Sequence, residues 1–309
     1  MPEYLSHLPS AEVLAKDKLA GAELYAGWLA DAMPSSDSRT SLRQTGAIMI
    51  TNWLQTLSTV ECGVFFLAVN AAVLAFSVTL WHAVRLWKPG SFDLEPAPRV
   101  SVGDLRLTAS SIAMCVVVSA AAWWLTSHHW LVLSSTTAVR LIFDCALIIL
   151  IMDLFMYVSH RVAHWQPLYH WIHESHHEHV HTNCLSLFVL HPLEVLGFAG
   201  MLITVTAIVR PCEGAIFAFL TINLIAGTIG HAGLSGRSKS KAGGLQTVTD
   251  LSTFHGGHHL DESCNFGFYT SIWDRVLGTA KQEPVIRSGM TVTASLQEWV
   301  RRRQPGLGR

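Results

Sequence analysis

The sequence predicts an all-α integral membrane protein, a bundle of about three full spans and a shorter hairpin, with a histidine-rich helical cap. Three observations lead to this fold class. Half of the 309 residues are apolar, and the mean hydropathy of +0.35 is high for a soluble domain of this size. The apolar residues form long uninterrupted runs. Many of the 17 histidines lie at or beyond the ends of the later runs.

Three long apolar runs predict full membrane spans. They cover residues 57–80, 107–127 and 138–159. At about 1.5 Å per residue, a helix of this length crosses a hydrocarbon core of roughly 30 Å. Trp123 and Trp124 near the end of the second run are typical of a membrane interface. We therefore expect three transmembrane helices in the first half of the chain.

Two shorter apolar runs predict a tight helical hairpin. Residues 193–209 and 214–230 are separated only by the sequence RPCE. Such a short connection implies antiparallel neighbours, and runs of this length can enter the bilayer without crossing it fully. The chain then divides into an N-terminal arm, a pair of spans, a histidine-rich domain and a C-terminal tail, at residues 1–56, 57–137, 138–280 and 281–309.

The distribution of basic residues predicts the orientation in the bilayer. Arg161 follows the third span and three basic residues follow the hairpin, whereas residues 128–137 contain neither Lys nor Arg. By the positive-inside rule, the ends that carry the basic residues face the cytosol. The N-terminal arm also carries basic residues on the opposite side, but a long arm has less influence on topology. We expect the histidine motifs to face the cytosol.

Nine histidines form short motifs at the ends of the later spans. On a helix, residues i, i+3 and i+4 project from one face. We therefore expect each HxxHH motif to present three imidazoles to one point, and HxxxH to present two. The nine are His160 and His164 in HRVAH; His173, His176 and His177 in HESHH; His231 in GHAG; and His255, His258 and His259 in HGGHH.

A metal centre explains this pattern better than nine independent structural histidines. A single histidine is more often structural than a ligand. Crowded neutral imidazoles, however, need a partner for their lone pairs, because unpaired buried polar groups are costly. Eight or more nitrogens exceed the four ligands of one tetrahedral zinc ion and suit two metals with open positions. The motifs therefore predict a dinuclear centre.

Two other side chains are candidates for the surroundings of the metals. Asp153 lies two helical turns before His160 and shares its face. An acid within an apolar helix is costly, so we expect Asp153 to accept an N–H from a ligand histidine. His191, in the sequence LHPLE, fits either a place in the metal shell or a structural role.

The order of these motifs resembles the fatty acid hydroxylase and sterol desaturase superfamily, over residues 138–279. The similar segments are DLFMYVSHRVAH, YHWIHESHH, LHPLE, GHAG, FHGGHH and NFGFYTSIWDRVLGT. The resemblance implies a membrane enzyme with a histidine-ligated di-iron centre, which uses O2 to hydroxylate, desaturate or oxidatively demethylate sterols, fatty acyl chains or related lipids. It implies that the histidines of the three longer motifs are iron ligands. His231 matches the additional histidine of the family, and Asn265 matches the asparagine of its closing signature, where Phe266 replaces the usual tyrosine.

The expected partners follow from the same chemistry. Two electrons per turnover must come from outside, and the chain contains no HPGG or GxGxxG motif, so a separate donor such as cytochrome b5 with its reductase is implied. The resemblance also implies the endoplasmic reticulum membrane in a eukaryote. Zinc can replace iron in a purified sample, because nitrogen-rich sites bind zinc more tightly than Fe(II). A net charge of -1 predicts no nucleic-acid partner.

Other functions remain open at this level. C–H hydroxylation is the expected reaction, but the motifs do not separate it from desaturation or demethylation. A divalent-metal transporter also uses histidines and intramembrane acids, although its ligands should lie near the middle of several spans. A member of the family that binds metal or lipid without turnover is the third alternative.

Overall fold

The computed structural model describes residues 53–54, 56–87, 93–94, 97–179, 181–235 and 248–281 of the chain. The predicted N-terminal arm and C-terminal tail lie almost entirely outside these ranges, as do the basic residues after the hairpin. The helices in chain order are α1 Thr59–Trp87, α2 Val102–Ser127, α3 Ala138–Ala163, α4 Gln166–Leu168, a π-helix Tyr169–His173, α5 Glu174–His177, a 3-10 helix Ser186–Phe188, α6 Pro192–Val209, α7 Glu213–Gly230, α8 Val248–Leu260 and α9 Ile272–Val276.

Five of these helices, α1, α2, α3, α6 and α7, are long and apolar enough to cross a membrane. The predicted all-α class and the multi-pass membrane character are confirmed. The first span extends beyond its apolar run, because α1 continues through His82 and Arg85 up to Trp87. A two-residue antiparallel ladder, Asp93–Leu94 with Leu234–Ser235, was not predicted from the sequence.

The spans form a bundle in which α3 and α7 are central. Helix α1 contacts α2 and α7, while α3 contacts α6 and α7, and α2 also contacts α6. Ile148 and Met152 of α3 pack against Val205 of α6 and Phe219 of α7. Because lipid tails are as apolar as these side chains, close packing and interhelical hydrogen bonds stabilise such contacts more than water exclusion does.

The hairpin turn is attached to α3 by a buried acid. Arg210 ends α6 in the left-handed conformation, with φ 50°. The backbone N–H of Cys212 then donates to Asp144 of α3 at 2.8 Å, and Arg140 pairs with the same carboxylate at 3.4 Å. An intramembrane carboxylate needs such partners. The turn therefore fixes the start of α7, and with it the direction in which α7 leads to His231.

Candidate metal centre

The nine predicted histidines lie in two compact groups. Within each group, one ligand atom of every residue lies within 4.8 Å of those of all the others. Most of these side chains are buried. Group A consists of His160, His164, His173, His177 and His258, and group B consists of His176, His231, His255 and His259.

Each HxxHH motif is divided between the two groups, so the expectation of three imidazoles at one point was wrong. His173 and His177 belong to group A, while His176 belongs to group B; in HGGHH, His258 belongs to group A and the other two to group B. With 3.6 residues per turn, positions i and i+4 differ by about 40° around the helix, but i+3 lies about 100° from i+4. The first and last histidines of a motif can therefore share one metal while the middle one reaches the other.

The nine histidines lie at or next to the ends of several helices. His160 and His164 lie at the end of α3, and His231 directly follows α7. His173 ends the π-helix, and α5 follows at once with the rest of its motif. A π-helical turn widens the spacing of side chains and is frequent at functional sites. Helix α8 carries the HGGHH motif and packs against α7.

The Nε2 atoms converge at distances that suit a shared cation. The Nε2 atom of His164 lies 3.0 Å from that of His258, and His173 and His177 are 3.1 Å apart in the same way. In group B, the Nε2 atoms of His255 and His231 are 3.1 Å apart. Two nitrogens bound at about 2.0 to 2.1 Å, at angles between tetrahedral and octahedral, lie about 2.8 to 3.4 Å from each other.

The Nδ1 atoms of five rings are directed at acceptors, and this fixes their tautomers. His173 donates to the carboxylate of Glu194 at 2.6 Å. The other four donate to backbone carbonyls, which can only accept. Neutral rings of this kind carry a bare lone pair on Nε2. The four are His160 to Phe266, His176 to Val189, His231 to Gly227 and His258 to Cys264.

The tautomers leave lone pairs opposed inside group B. The Nε2 atoms of His231 and His176 lie 3.4 Å apart, yet both rings use their only N–H on the far side. Two neutral acceptors cannot hydrogen-bond each other. A cation held between these Nε2 atoms accepts both lone pairs, and the residues present therefore fit a metal.

Burial favours the uncharged form of four imidazoles in the two groups. It lowers the pKa of His164 to about 3 and that of His231 to about 4, because the charged form loses its water. Burial and the neighbouring histidines also lower the pKa of His176 and His258. At neutral pH these rings are deprotonated, which is the form that binds a metal.

The three additional candidates lie outside the two groups. His191 caps α6 by accepting the backbone N–H of Leu193 at 3.2 Å, which is a structural position. Asp153 is buried, but the predicted bond from a histidine was wrong: its carboxylate accepts the backbone N–H groups of Tyr269 and Thr270, each at 3.1 Å. Asp153 therefore secures the loop after HGGHH to α3.

Asn265 acts through its backbone conformation. Its φ is 57°, in the left-handed region that Asn adopts more readily than most residues. Its side-chain oxygen accepts the N–H of Lys281 at 2.8 Å. The carbonyls on either side of it, those of Cys264 and Phe266, accept from His258 and His160. The turn at Asn265 thus directs two neighbouring carbonyls to two histidines of group A.

Sequence reasoning missed Glu194 although it is part of the quoted LHPLE motif. One carboxylate oxygen accepts from His173, and the other accepts the backbone N–H of His191 at 3.1 Å. The acid is the third residue of α6 and completes a capping box with His191. A signal existed in the sequence, since an acid in the first turn of a helix next to a metal motif is a candidate acceptor for a ligand.

We expect Glu194→Gln to weaken metal binding at group A by about 10- to 100-fold, the usual effect of removing an outer-shell partner. The amide keeps the size of the side chain but cannot accept from His173 and His191 with two equivalent oxygens. Chelator competition on purified protein measures the affinity. Glu213→Gln is the matched control, because Glu213 lies in the first turn of α7. Equal affinity in both variants would contradict a positioning role for Glu194.

Fold and site together define a multi-pass membrane protein with a buried, all-nitrogen site that can hold two metal ions. A family profile described as fatty acid hydroxylase matches residues 145–279, which include every histidine of groups A and B. The match confirms, for this segment, the resemblance to the fatty acid hydroxylase and sterol desaturase superfamily that its motifs predict.

Curated relatives carry names from the same superfamily. The chain is 31% identical to "Methylsterol monooxygenase 1" of Gallus gallus, over 45% of this chain and 46% of that protein. It is 26% identical to "Cholesterol 25-hydroxylase" of Mus musculus, over 48% and 51%. It is 24% identical to "Delta(7)-sterol 5(6)-desaturase" of Candida glabrata, over 46% and 37%. The chain therefore covers about half or less of the length of these relatives, and no solved structure matches it.

Proposed function

We propose that this protein is a membrane-bound, O2-dependent non-haem di-iron oxidase that hydroxylates a C–H bond of a lipid-like substrate. The observation that carries the proposal is the convergence of nine histidines into two adjacent groups of nitrogen donors. The relatives support the reaction class, because two are named as a monooxygenase and a hydroxylase and the third as a desaturase.

Iron is the proposed occupant of both groups. Imidazole suits iron, and a site with open positions admits O2. When bound, the iron pair supplies the activation of O2, for which no side chain has the chemistry. The chain's own contribution is to hold the ligands, fix their tautomers through acceptors such as Glu194, and exclude water by burial of the rings. Zinc is expected to compete for the same nitrogens during purification.

A lipid-like substrate is supported by where the ligands lie. His160 and His231 are at the ends of the apolar helices α3 and α7. An apolar substrate in the bilayer can therefore approach between the spans, with its reacting carbon near the membrane boundary. We further propose that this boundary is cytosolic, in the endoplasmic reticulum of a eukaryotic cell, and that cytochrome b5 with its reductase supplies the electrons.

Desaturation with the same site is the second candidate, and the likeness to a sterol desaturase favours it. Oxidative demethylation needs the same centre. Transport of a metal ion is less consistent with the arrangement, since ligands of a transporter should line the middle of the spans rather than their ends.

The proposal is tested with detergent-purified protein loaded with Fe(II), a reductase system, 18O2 and a membrane lipid extract. Hydroxylation is expected to give a product 18 mass units heavier than its substrate (one 18O inserted into a C–H bond), whereas desaturation gives one that is 2 units lighter. The control is the same protein loaded with zinc, which cannot change oxidation state. Metal loading of about two per chain without any O2-dependent product would contradict the enzymatic function and favour a non-catalytic metal-binding protein.

A further inference from the structure

The first span, which lies outside the matched segment, reaches the metal centre. Ser77, Trp81 and Arg85 are spaced by four residues near the end of α1, so they form one stripe along that helix. The Ser77 hydroxyl lies 2.7 Å from the hydroxyl of Thr228, in the last turn of α7. Directly beyond that turn is His231 of group B.

The next two residues of the stripe bind the backbone at His231. The indole N–H of Trp81 donates to the carbonyl of His231 at 2.8 Å. Arg85 donates to the following carbonyl, that of Ala232, at 2.9 Å, and its guanidinium lies 4.7 Å from the centre of the Trp81 ring. Trp81 is only 6% exposed, so its N–H is committed to this bond.

A third donor comes from the loop after HESHH. The hydroxyl of Thr182 donates to the same His231 carbonyl at 2.9 Å. Carbonyls at the end of a helix have no intrahelical partner and need side-chain donors or water. Here Trp81 and Thr182 both donate to the carbonyl of His231, and Arg85 donates to that of Ala232. The positive charge of Arg85 also interacts favourably with the negative end of the helix dipole.

These bonds restrain the backbone on both sides of the His231 Cα. The backbone N–H and the Nδ1 of His231 both donate to the carbonyl of Gly227, at 3.2 Å and 2.8 Å. The N–H and the ring are thus held on the last turn of α7, while Trp81 and Thr182 hold the carbonyl, so the position of the His231 Nε2 depends on both sets of bonds. That atom lies 3.1 Å from the Nε2 of His255 and 3.4 Å from that of His176, so small movements change the ligand geometry of group B.

We propose that Trp81, assisted by Thr182 and Arg85, is a positioning residue for the metal in group B. The inference rests on the proposed two-metal function, and it assigns the first span a role in the centre rather than only in the bundle. Removing the indole N–H should weaken metal binding at group B and leave metal binding at group A unchanged. Group A receives none of these three bonds, because they end on the carbonyls of His231 and Ala232.

The test is a Co(II) titration of chelator-treated, detergent-purified full-length protein, with the visible absorption of bound Co(II) as the signal. Wild type is expected to bind two equivalents. Trp81→Phe keeps an aromatic ring but removes the donor, and it is expected to bind one of the two equivalents about tenfold more weakly while the affinity for the other is unchanged. Thr182→Val, which keeps the shape of the side chain, is expected to act in the same direction.

Trp123→Phe is the matched control. Trp123 is also on an early span, since it lies on α2 and packs against Phe66 of α1, but its indole N–H has no hydrogen-bond partner among the described residues. It should retain both equivalents at wild-type affinity. Thermal stability is recorded for every variant, so that a general loss of packing is recognised.

The outcomes separate the inference from the proposed function. Fewer than two equivalents in wild type would overturn the two-metal centre itself. Two equivalents in wild type, with unchanged affinity in Trp81→Phe and Thr182→Val, would overturn the positioning role alone. A parallel loss of both equivalents together with a lower melting temperature would also overturn it, since that result describes a structural residue. If Trp81→Phe cannot be purified, the Co(II) affinity of Thr182→Val tests the positioning role on its own.

Discussion

Alanine substitutions of His176 and His177, two neighbouring residues, are expected to remove different metal ions. His176 belongs to group B and His177 to group A. Each single variant should retain about one of two metals after dialysis against a chelator, as measured by elemental analysis. O2-dependent activity should fall by at least 100-fold in both, because the proposed reaction needs the pair of metals.

Double variants make this prediction sharper. His231 belongs to group B, so His176→Ala with His231→Ala should lose one metal, whereas His177→Ala with His231→Ala should lose both. His170→Ala is the control from the same segment, because the exposed ring of His170 pairs with Glu174 and lies outside the two groups. The reverse pattern, with both metals lost when His176 and His231 are replaced, would contradict the division of the HxxHH motifs.

Gly267→Ala is expected to destabilise the protein and to weaken metal binding at group A. A Cβ at this position would overlap the backbone oxygen of Thr270 and would lie 2.7 Å from the Asp274 carboxylate. Backbone cannot move aside as a flexible side chain can, and overpacking of this kind typically costs about 1 to 3 kcal/mol. The strained loop begins at Asn265, whose neighbouring carbonyls accept from two histidines of group A.

We expect the melting temperature of Gly267→Ala to fall by roughly 5 °C or more and metal affinity at group A to fall with it. Gly200→Ala is the matched control, because an added Cβ in that part of α6 has no atom within 4 Å. There the change should be neutral or slightly stabilising, since Ala favours a helix. A melting temperature of Gly267→Ala equal to that of wild type would show that the loop adjusts freely and that its carbonyls do not depend on this glycine.

The sequence determined the features that depend on local pattern. Apolar runs of sufficient length predicted the spans and the hairpin, and the structure confirms an all-α membrane bundle. Histidine spacing selected eight members of the two groups, and the resemblance to the family added His231. That these nine bind iron stays a prediction.

The tertiary structure decided how those residues are shared and what holds them. The division of each HxxHH motif between two groups depends on where the other helices place their histidines, which helical periodicity alone does not specify. Asp153 was expected to accept an N–H from a ligand histidine, but the backbone N–H groups of Tyr269 and Thr270 occupy its carboxylate. Glu194 reaches His173 from 21 residues away.

The contact between Trp81 and the His231 carbonyl spans 150 residues, and no motif in the first span indicates it. The physical reason is the same in each case. Hydropathy and spacing are properties of one segment, so they determine which segments become helices and which faces carry donors. Hydrogen bonds to a backbone carbonyl carry no signature in the residue that accepts them, and only the packing of the spans decides which donor reaches which carbonyl.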